Sequence, residues 1–207
     1  SAISQSITTN LSIPEIIELA KTSKDVTKEN VSSIVLNDDI LNCGGFLYGT
    51  GIPEFVFLPV GKNYDNIHLF NEITLKNFEI MNKKEPIYVF NGTKTSGLAS
   101  EVRYTLRRFC FNAVDQANAT NRDLENTTIY YDVKPTDQPD SIPPIVSLIQ
   151  KIVPGTIKPG IPQYILEDPK YGDAMIIIEL GKDFVTNKKG NPFESVQMYS
   201  PPKPQPE

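Results

Sequence analysis

The segment Asn91–Gly97, Asn-Gly-Thr-Lys-Thr-Ser-Gly, carries residue types that can hold an anion. It follows an apolar, β-rich run at Ile87–Phe90 and precedes an amphipathic helical pattern that starts at Leu98. A glycine-bounded turn between a strand and a helix is the layout of a phosphate-binding loop, because backbone amides and the helix dipole both favour negative charge there. The chemistry predicted for such a loop is binding of a phosphate, sulfate or carboxylate group.

Neither of two common nucleotide-binding patterns fits this loop. A Walker-type loop needs a lysine and a hydroxyl residue directly after its last glycine, whereas Gly97 is followed by Leu98 and Ala99. A dinucleotide-binding loop needs a middle glycine, and none lies between Gly92 and Gly97. Nucleotide binding is therefore the least favoured interpretation.

Two other interpretations of the loop stay open. In the first it is a structural turn, in which Gly92 eases the chain reversal and Thr95 or Ser96 caps the following helix. In the second it is an anion- or glycan-binding site, whose predicted residues are Asn91, Gly92, Thr93, Lys94, Ser96, Gly97, Arg103 and Arg107. The structural turn is favoured over the binding site, because a glycine-bounded turn is most often only a turn.

Arginines and tyrosines add candidate contacts for a polymer. Arg103, Arg107 and Arg108 are predicted on the polar side of the helix, where guanidinium groups suit phosphate or carboxylate. A solvated helix face is the favoured alternative. Tyrosines such as Tyr130 and Tyr164 can stack on sugars, but half-buried packing against a sheet is the simpler interpretation.

Composition excludes several classes of function. The net charge of −5 and a pI near 5.0 argue against a duplex nucleic-acid binder, which needs cations along the phosphates. The single histidine, His68, has no second histidine or Cys-x-x-Cys beside it, so no metal site is predicted. No catalytic residue and no cofactor are predicted either. Cys43 and Cys110 are too few for a disulfide framework, and whether they form a single bridge is left open.

The first part of the chain is predicted to be a small α/β segment. Ser12-Ile-Pro-Glu15 has the form of a capping box, and the apolar stripe of a helix follows it. Strands are predicted at Val31–Leu36 and Glu54–Pro59, and a further helix is predicted to begin at Asn63 or Asp65. No window of the sequence approaches the apolar length of a membrane span.

The polar segment Met81–Pro86 is the predicted domain boundary. The predicted strands and helices after it are the strand Ile87–Phe90, the helix Ser96–Phe109, the strands Phe111–Ala117 and Thr127–Val133, the helix Ser141–Val153 and the strand Ala174–Leu180. This order indicates an α/β fold, a compact βαββαβ domain with helices packed on one face of a sheet. The loop between the last helix and strand is predicted irregular, with Gln163–Glu167 as a short edge strand.

Three motifs of the second region resemble the C-terminal domain of LytR-type proteins. They are VFNGTKTSGLASEV, VDQANATNRDLENTTIYY and IIIELGKDF, in that order along the chain. In the first region, TTNLSIPEIIELAK and FVFLPVGKNYDNI are similar to the closing segments of the LytR–CpsA–Psr catalytic domain. The resemblance divides the chain into residues 1–82, the end of such a catalytic domain, residues 85–190, the C-terminal domain, and a flexible proline-rich tail at 191–207.

The resemblance implies a place in cell-envelope assembly. LytR–CpsA–Psr proteins are envelope phosphotransferases that move glycopolymers onto peptidoglycan with magnesium, arginines and aspartates, and no matching cluster lies before Met81. This chain is therefore expected to be a non-catalytic accessory region, with a carbohydrate- or peptidoglycan-binding module and a magnesium-dependent phosphotransferase or pyrophosphatase as alternatives. Its expected partner is cell-wall glycopolymer or peptidoglycan, not nucleic acid. The parent protein is expected outside the cytoplasmic membrane, anchored by a segment that this sequence does not contain.

Overall fold

The structure, a computed structural model, describes residues 11–25, 33–49, 57–60, 64–133 and 141–187. They divide into two compact units, and the division falls between Ile34 and Val35. The predicted proline-rich tail at 191–207 lies outside the described residues.

The first unit contains helix α1 (Ile13–Thr22), followed by a 3-10 turn at Ser23–Asp25. The predicted capping box is confirmed: the backbone N–H of Ser12 donates to the Glu15 carboxylate at 2.7 Å. This hydrogen bonding to Ser12 lowers the pKa of Glu15. The apolar stripe of the helix, which includes Ile13 and Ile17, is exposed.

The second unit opens with a loop and a short β-hairpin. The strand predicted at Val31–Leu36 is wrong for its described part, because residues 33–36 form no strand. Asn37 instead closes a loop there, with its side-chain amide donating to the carbonyl of Val35 at 3.0 Å and to that of Cys43 at 3.2 Å. Strand β1 (Leu47–Gly49) then pairs antiparallel with β2 (Phe57–Pro59), which confirms the described part of the strand predicted at Glu54–Pro59.

Two helices follow the hairpin. Helix α2 (Asp65–Ile73) confirms the predicted helix, and a 3-10 turn at Leu75–Asn77 leads into α3 (Phe78–Met81). Phe70 of α2 packs its ring 5.2 Å from that of Phe46, which also lies 4.9 Å from the ring of Phe109. Three buried aromatic rings therefore join residues on both sides of the predicted boundary at Met81–Pro86.

The remaining elements build a five-stranded mixed sheet. In chain order they are β3 (Ile87–Asn91), α4 (Leu98–Arg108), β4 (Ala113–Asn118), β5 (Thr128–Tyr131), α5 (Pro144–Gln150), β6 (Thr156–Pro159), α6 (Gln163–Leu166), β7 (Ile176–Leu180) and α7 (Lys182–Asn187). The strand order across the sheet is β4-β3-β7-β5-β6. Strand β3 is parallel to β4 and β7, whereas β5 is antiparallel to β7 and parallel to β6. The predicted α/β fold class is confirmed.

The segment between α5 and β7 differs from the prediction. It contains β6, a strand in a segment predicted to be irregular, while the predicted edge strand Gln163–Glu167 is wrong because these residues form α6 and its C-cap. Among the described strands, β6 pairs with β5 alone, so Pro159 at its end removes no ladder hydrogen bond from a second described neighbour. Pro162 precedes α6 as its N-cap, and Ile165 is buried in the core.

The two faces of the sheet bury different side chains. Val89, Ile129 and Ile178 are fully buried on the face packed against α4 and α5. On the opposite face, Tyr88 and Ile177 lie in one buried cluster with residues from α6 and the turn that follows it. The predicted one-sided packing therefore describes the longer helices, and the short α6 covers the second face.

Candidate functional site

The predicted binding loop is a turn held together by Asn91, which is buried at the end of β3. Its side-chain amide donates to the carbonyl of Thr95 at 2.7 Å, and its oxygen accepts from the backbone N–H and hydroxyl of Thr93 at 2.9 and 2.8 Å. The Thr93 hydroxyl in turn accepts from the backbone N–H of Thr95 at 3.1 Å. The Asn91 side chain therefore makes three hydrogen bonds inside the loop.

The chain enters α4 through a glycine. The N-cap is Gly97, with a left-handed φ of 76°, so the prediction that Thr95 or Ser96 caps the helix is wrong. The physical reason is the network around Asn91, because it uses the amide and the carbonyl of Thr95 inside the turn. The chain then reaches the helix through a φ that glycine adopts without a steric penalty.

The loop also forms hydrogen bonds with neighbouring segments of the chain. The backbone N–H of Gly92 donates to the carbonyl of Leu180 at 3.0 Å, and a Cβ at Gly92 would lie 2.7 Å from that oxygen. The carbonyl of Thr93 accepts from Arg122 at 2.7 Å. Of the predicted loop residues, those that are exposed are Lys94, Ser96 and Gly97.

The predicted arginines lie away from the loop or have protein partners. Arg103 donates to the carbonyl of Ala113 at 3.2 Å and to the side chain of Gln116 at 2.9 Å. Arg107 donates to the side chain of Asn42, and it lies nine residues beyond the start of α4, about 14 Å along the helix axis. The structure does not bring Arg107 to the loop, and an anion- or glycan-binding role for the predicted set stays a prediction.

Arg108 does not belong to the predicted arginine patch on the polar face of α4. It is buried rather than on the polar face, and its guanidinium donates to the backbone carbonyl of Ile40. Burial lowers the pKa of Arg108 to about 10. This side chain fastens the loop before β1 to the end of α4.

The disulfide between Cys43 and Cys110 joins the same two segments. Its Cα atoms lie 4.5 Å apart, and the backbone N–H of Gly44 donates to the carbonyl of Arg108 at 3.0 Å beside it. The sequence left this pairing open, because the two cysteines are 67 residues apart and only the tertiary fold brings them together.

A second polar cluster lies on the sheet face beneath α6. Glu179, in the central strand β7, is buried, and its carboxylate accepts from the hydroxyl of Tyr164 at 2.7 Å. Burial, and then the negative charge of Glu179, raise the pKa of Tyr130 in β5. Strand register explains the grouping, because Tyr130 pairs with Ile177, two residues from Glu179 and therefore on the same face.

Sequence reasoning did not single out Glu179 as a site residue. The available signal was one acid inside the apolar run Ala174–Leu180, since glutamate is seldom fully buried without a partner. Its partner Tyr164 comes from α6, a helix that the sequence did not predict.

Polar contacts also surround the aromatic core on this face. The Tyr88 hydroxyl donates to Asp173 at 2.7 Å, and its ring packs edge-on against Tyr171 with centroids 5.2 Å apart. Lys170 pairs with Asp115 at 2.7 Å and lies 5.4 Å from the centroid of the Tyr171 ring.

These contacts predict a delayed tyrosine titration. Burial and then Asp173 raise the pKa of Tyr88 to about 12, and burial followed by Glu179 raises the pKa of Tyr164. A folded-state pKa above the unfolded value of 10.0 means that the stabilisation is present below pH 10 and is lost as the pH rises through 12. We therefore expect part of the phenolate absorbance to appear only above pH 11, while stability falls across this window.

The matched variant for this titration is Tyr88→Phe. It should remove one late-titrating group and reduce the loss of stability between pH 10 and 12. Titration of all nine tyrosines as one class near pH 10 would contradict the contacts described.

Two features, a metal-binding cluster and a membrane-spanning helix, are absent from the described residues. Within them, no group of three or more His, Cys, Asp or Glu side chains is placed to hold a metal ion. No helix in the same part of the chain has the length and apolar character needed to cross a membrane.

A protein family matches the second part of the chain. The family described as LytR cell envelope-related transcriptional attenuator matches residues 86–184, which extend from just before β3 into α7 and include the whole five-stranded sheet. No curated protein and no solved structure matches. The match does not extend to residues 1–85, so their predicted similarity to a LytR–CpsA–Psr domain and the predicted domain boundaries stay predictions.

Proposed function

We propose, from the premise that residues 86–184 belong to the LytR C-terminal domain family, that this chain is a non-catalytic binding region of a cell-envelope protein. The family description supports a role related to the cell envelope. The finer proposal is that the chain binds wall glycopolymer or peptidoglycan and so holds a parent protein at its site of work.

The observation that carries the cellular location is the Cys43–Cys110 disulfide. Disulfides form and persist in oxidising compartments outside the cytoplasm, whereas cytosolic thiols are kept reduced. This bond therefore supports a position on the outer side of the membrane, where wall polymers are assembled.

The sheet and its loops offer two kinds of contact for such a polymer. Exposed Lys94 in the turn before α4 can pair with an anionic group, and the exposed Tyr164 in α6 can pack against a sugar ring. The chain itself carries a net charge of −5, so bulk electrostatics oppose an anionic polymer. Binding at moderate salt would therefore indicate local recognition rather than non-specific attraction.

Co-sedimentation with purified sacculi tests this proposal. We expect the full chain to pellet with sacculi that retain their phosphate-linked polymer, and to pellet less with sacculi stripped of that polymer. An unrelated protein of similar size and acidity is the control for trapping. Absence of the chain from both pellets would contradict a wall-binding role.

A magnesium-dependent pyrophosphatase assay on the same preparation tests the non-catalytic part of the proposal. We expect no turnover above a blank. Turnover that a substitution within the chain abolishes would contradict this part and favour an enzyme.

A further inference from the structure

Tyr164 combines a fixed hydroxyl with an exposed ring. Its hydroxyl donates to buried Glu179 at 2.7 Å, yet the residue remains 51% exposed. The hydrogen bond therefore holds an aromatic surface in one orientation towards solvent. A ring held in advance in this way loses less conformational freedom when a ligand packs on it.

The carboxylate of Glu179 retains acceptor capacity. A carboxylate offers about four lone-pair positions, of which the hydroxyl of Tyr164 uses one. Within the part of the chain that the structure describes, no lysine or arginine forms a salt bridge with Glu179. Its remaining lone pairs suit a ligand that brings hydroxyl or amide N–H donors.

Lys158 places a cation on the strand next to Tyr130. It lies on β6 directly opposite Tyr130 in the parallel pairing, about 4.8 Å away across the sheet, and is exposed. No acid among the described residues forms a salt bridge with it. A ligand that reaches Lys158 from Glu179 needs an anionic group at one end and donors at the other.

We propose that Glu179, Tyr130, Tyr164 and Lys158 form a binding site for an anionic sugar unit, such as a phosphorylated hexosamine. The ring of Tyr164 packs on the apolar face of the sugar, Glu179 accepts from its hydroxyls or amide, and Lys158 pairs with its phosphate or carboxylate. This site rests on the proposed polymer-binding function and assigns it to the sheet face beneath α6 rather than to the loop Asn91–Gly97.

Amide chemical-shift titration of the full chain locates the site. The probes are N-acetylglucosamine 6-phosphate, N-acetylglucosamine and inorganic phosphate, each raised to about 10 mM because single sugar units bind in the weak range. We expect saturable shifts at residues 129–131, 157–159, 163–165 and 178–180. The phosphorylated sugar should bind more tightly than either of its parts.

Single substitutions distinguish the contributions of the individual contacts to binding. Lys158→Ala should weaken binding of the phosphorylated sugar about tenfold and leave binding of the neutral sugar unchanged. Glu179→Gln should weaken binding of both sugars about tenfold. Tyr164→Ala should weaken binding of both sugars about fivefold. Tyr64→Ala, at a tyrosine that is 62% exposed before α2, is its matched control and should change neither. The amide spectrum shows whether the Glu179→Gln variant is folded. If it is not, Lys158→Ala still tests the site, because Lys158 is exposed and its substitution should not disturb the fold.

The outcomes separate this site from the proposed function. Shifts confined to Asn91–Gly97 and abolished by Lys94→Ala would overturn the site, as would binding of inorganic phosphate as tight as that of the phosphorylated sugar. If Lys158→Ala and Tyr164→Ala still pellet with sacculi like the original chain, the site is wrong and the wall-binding function stands. If the chain does not pellet with sacculi but shows the expected shifts, the site stands and the wall-binding function is wrong.

Discussion

Reduction of the Cys43–Cys110 disulfide is expected to lower the free energy of unfolding of the second unit by about 4 kcal/mol. The bond closes a loop of 67 residues, and a cross-link over a loop of this length removes much of the conformational entropy of the unfolded chain. Domains of this kind are typically stable by about 5–15 kcal/mol, so the expected loss is a large fraction of the total. Denaturant unfolding with and without reductant measures the difference.

A variant with Cys43→Ser and Cys110→Ser is the control for reduction. It should unfold at the denaturant concentration of the reduced chain, and reductant should not change its midpoint. Hydrogen exchange should rise first around Gly44, because the bond to Arg108 and the disulfide hold this loop on α4. Equal midpoints for the oxidised and reduced chains would contradict a stabilising role.

Elements with a strong local pattern were predictable. Leu98, Val102 and Leu106 recur at helical spacing, and all three are buried on one face of α4. The apolar run in β7 is typical of a central strand covered by helices on at least one side, and β7 lies at the centre of the sheet between β3 and β5. In these segments the burial pattern in the sequence and the tertiary environment agree.

The segment between α5 and β7 was not predictable, because its structure depends on tertiary contacts and not on a local sequence pattern. Strand β6 is defined by its pairing with β5 and not by its own composition, which includes Pro159. Residues Gln163–Leu166 contain an aromatic and a β-branched residue, yet they form a helical turn. Burial of Ile165 beside Tyr88 and Ile177 stabilises that turn, and this contact depends on the whole sheet.

The two candidate sites also differ in how far the sequence could predict them. The loop Asn91–Gly97 could be located from sequence because its residues are contiguous, although its hydrogen bonding could not. The cluster of Tyr130, Tyr164 and Glu179 comes from three separate elements, and only strand register and the position of α6 bring it together. No spacing in the sequence reports such a site.

Asn91→Ala is expected to lower the free energy of unfolding by about 3 kcal/mol. The substitution removes three hydrogen bonds and leaves the amide of Thr93 and the carbonyl of Thr95 without the partner that holds the turn. Asn118→Ala is a matched control, because Asn118 pairs with Asn91 across β3 and β4 but is exposed, and it should change stability by less than about 0.5 kcal/mol. Denaturant unfolding of the three proteins gives both values.

The size of this loss discriminates between the two interpretations of the loop. If Asn91 is a structural residue, Asn91→Ala destabilises the fold, and Lys94→Ala, at an exposed position outside its network, leaves stability unchanged. If Asn91 is held for ligand binding, Asn91→Ala costs less than about 1 kcal/mol of stability and instead weakens binding to sacculi. The buried hydrogen bonds favour the first outcome, because a side chain whose amide and oxygen are both engaged has fewer groups left to offer a ligand.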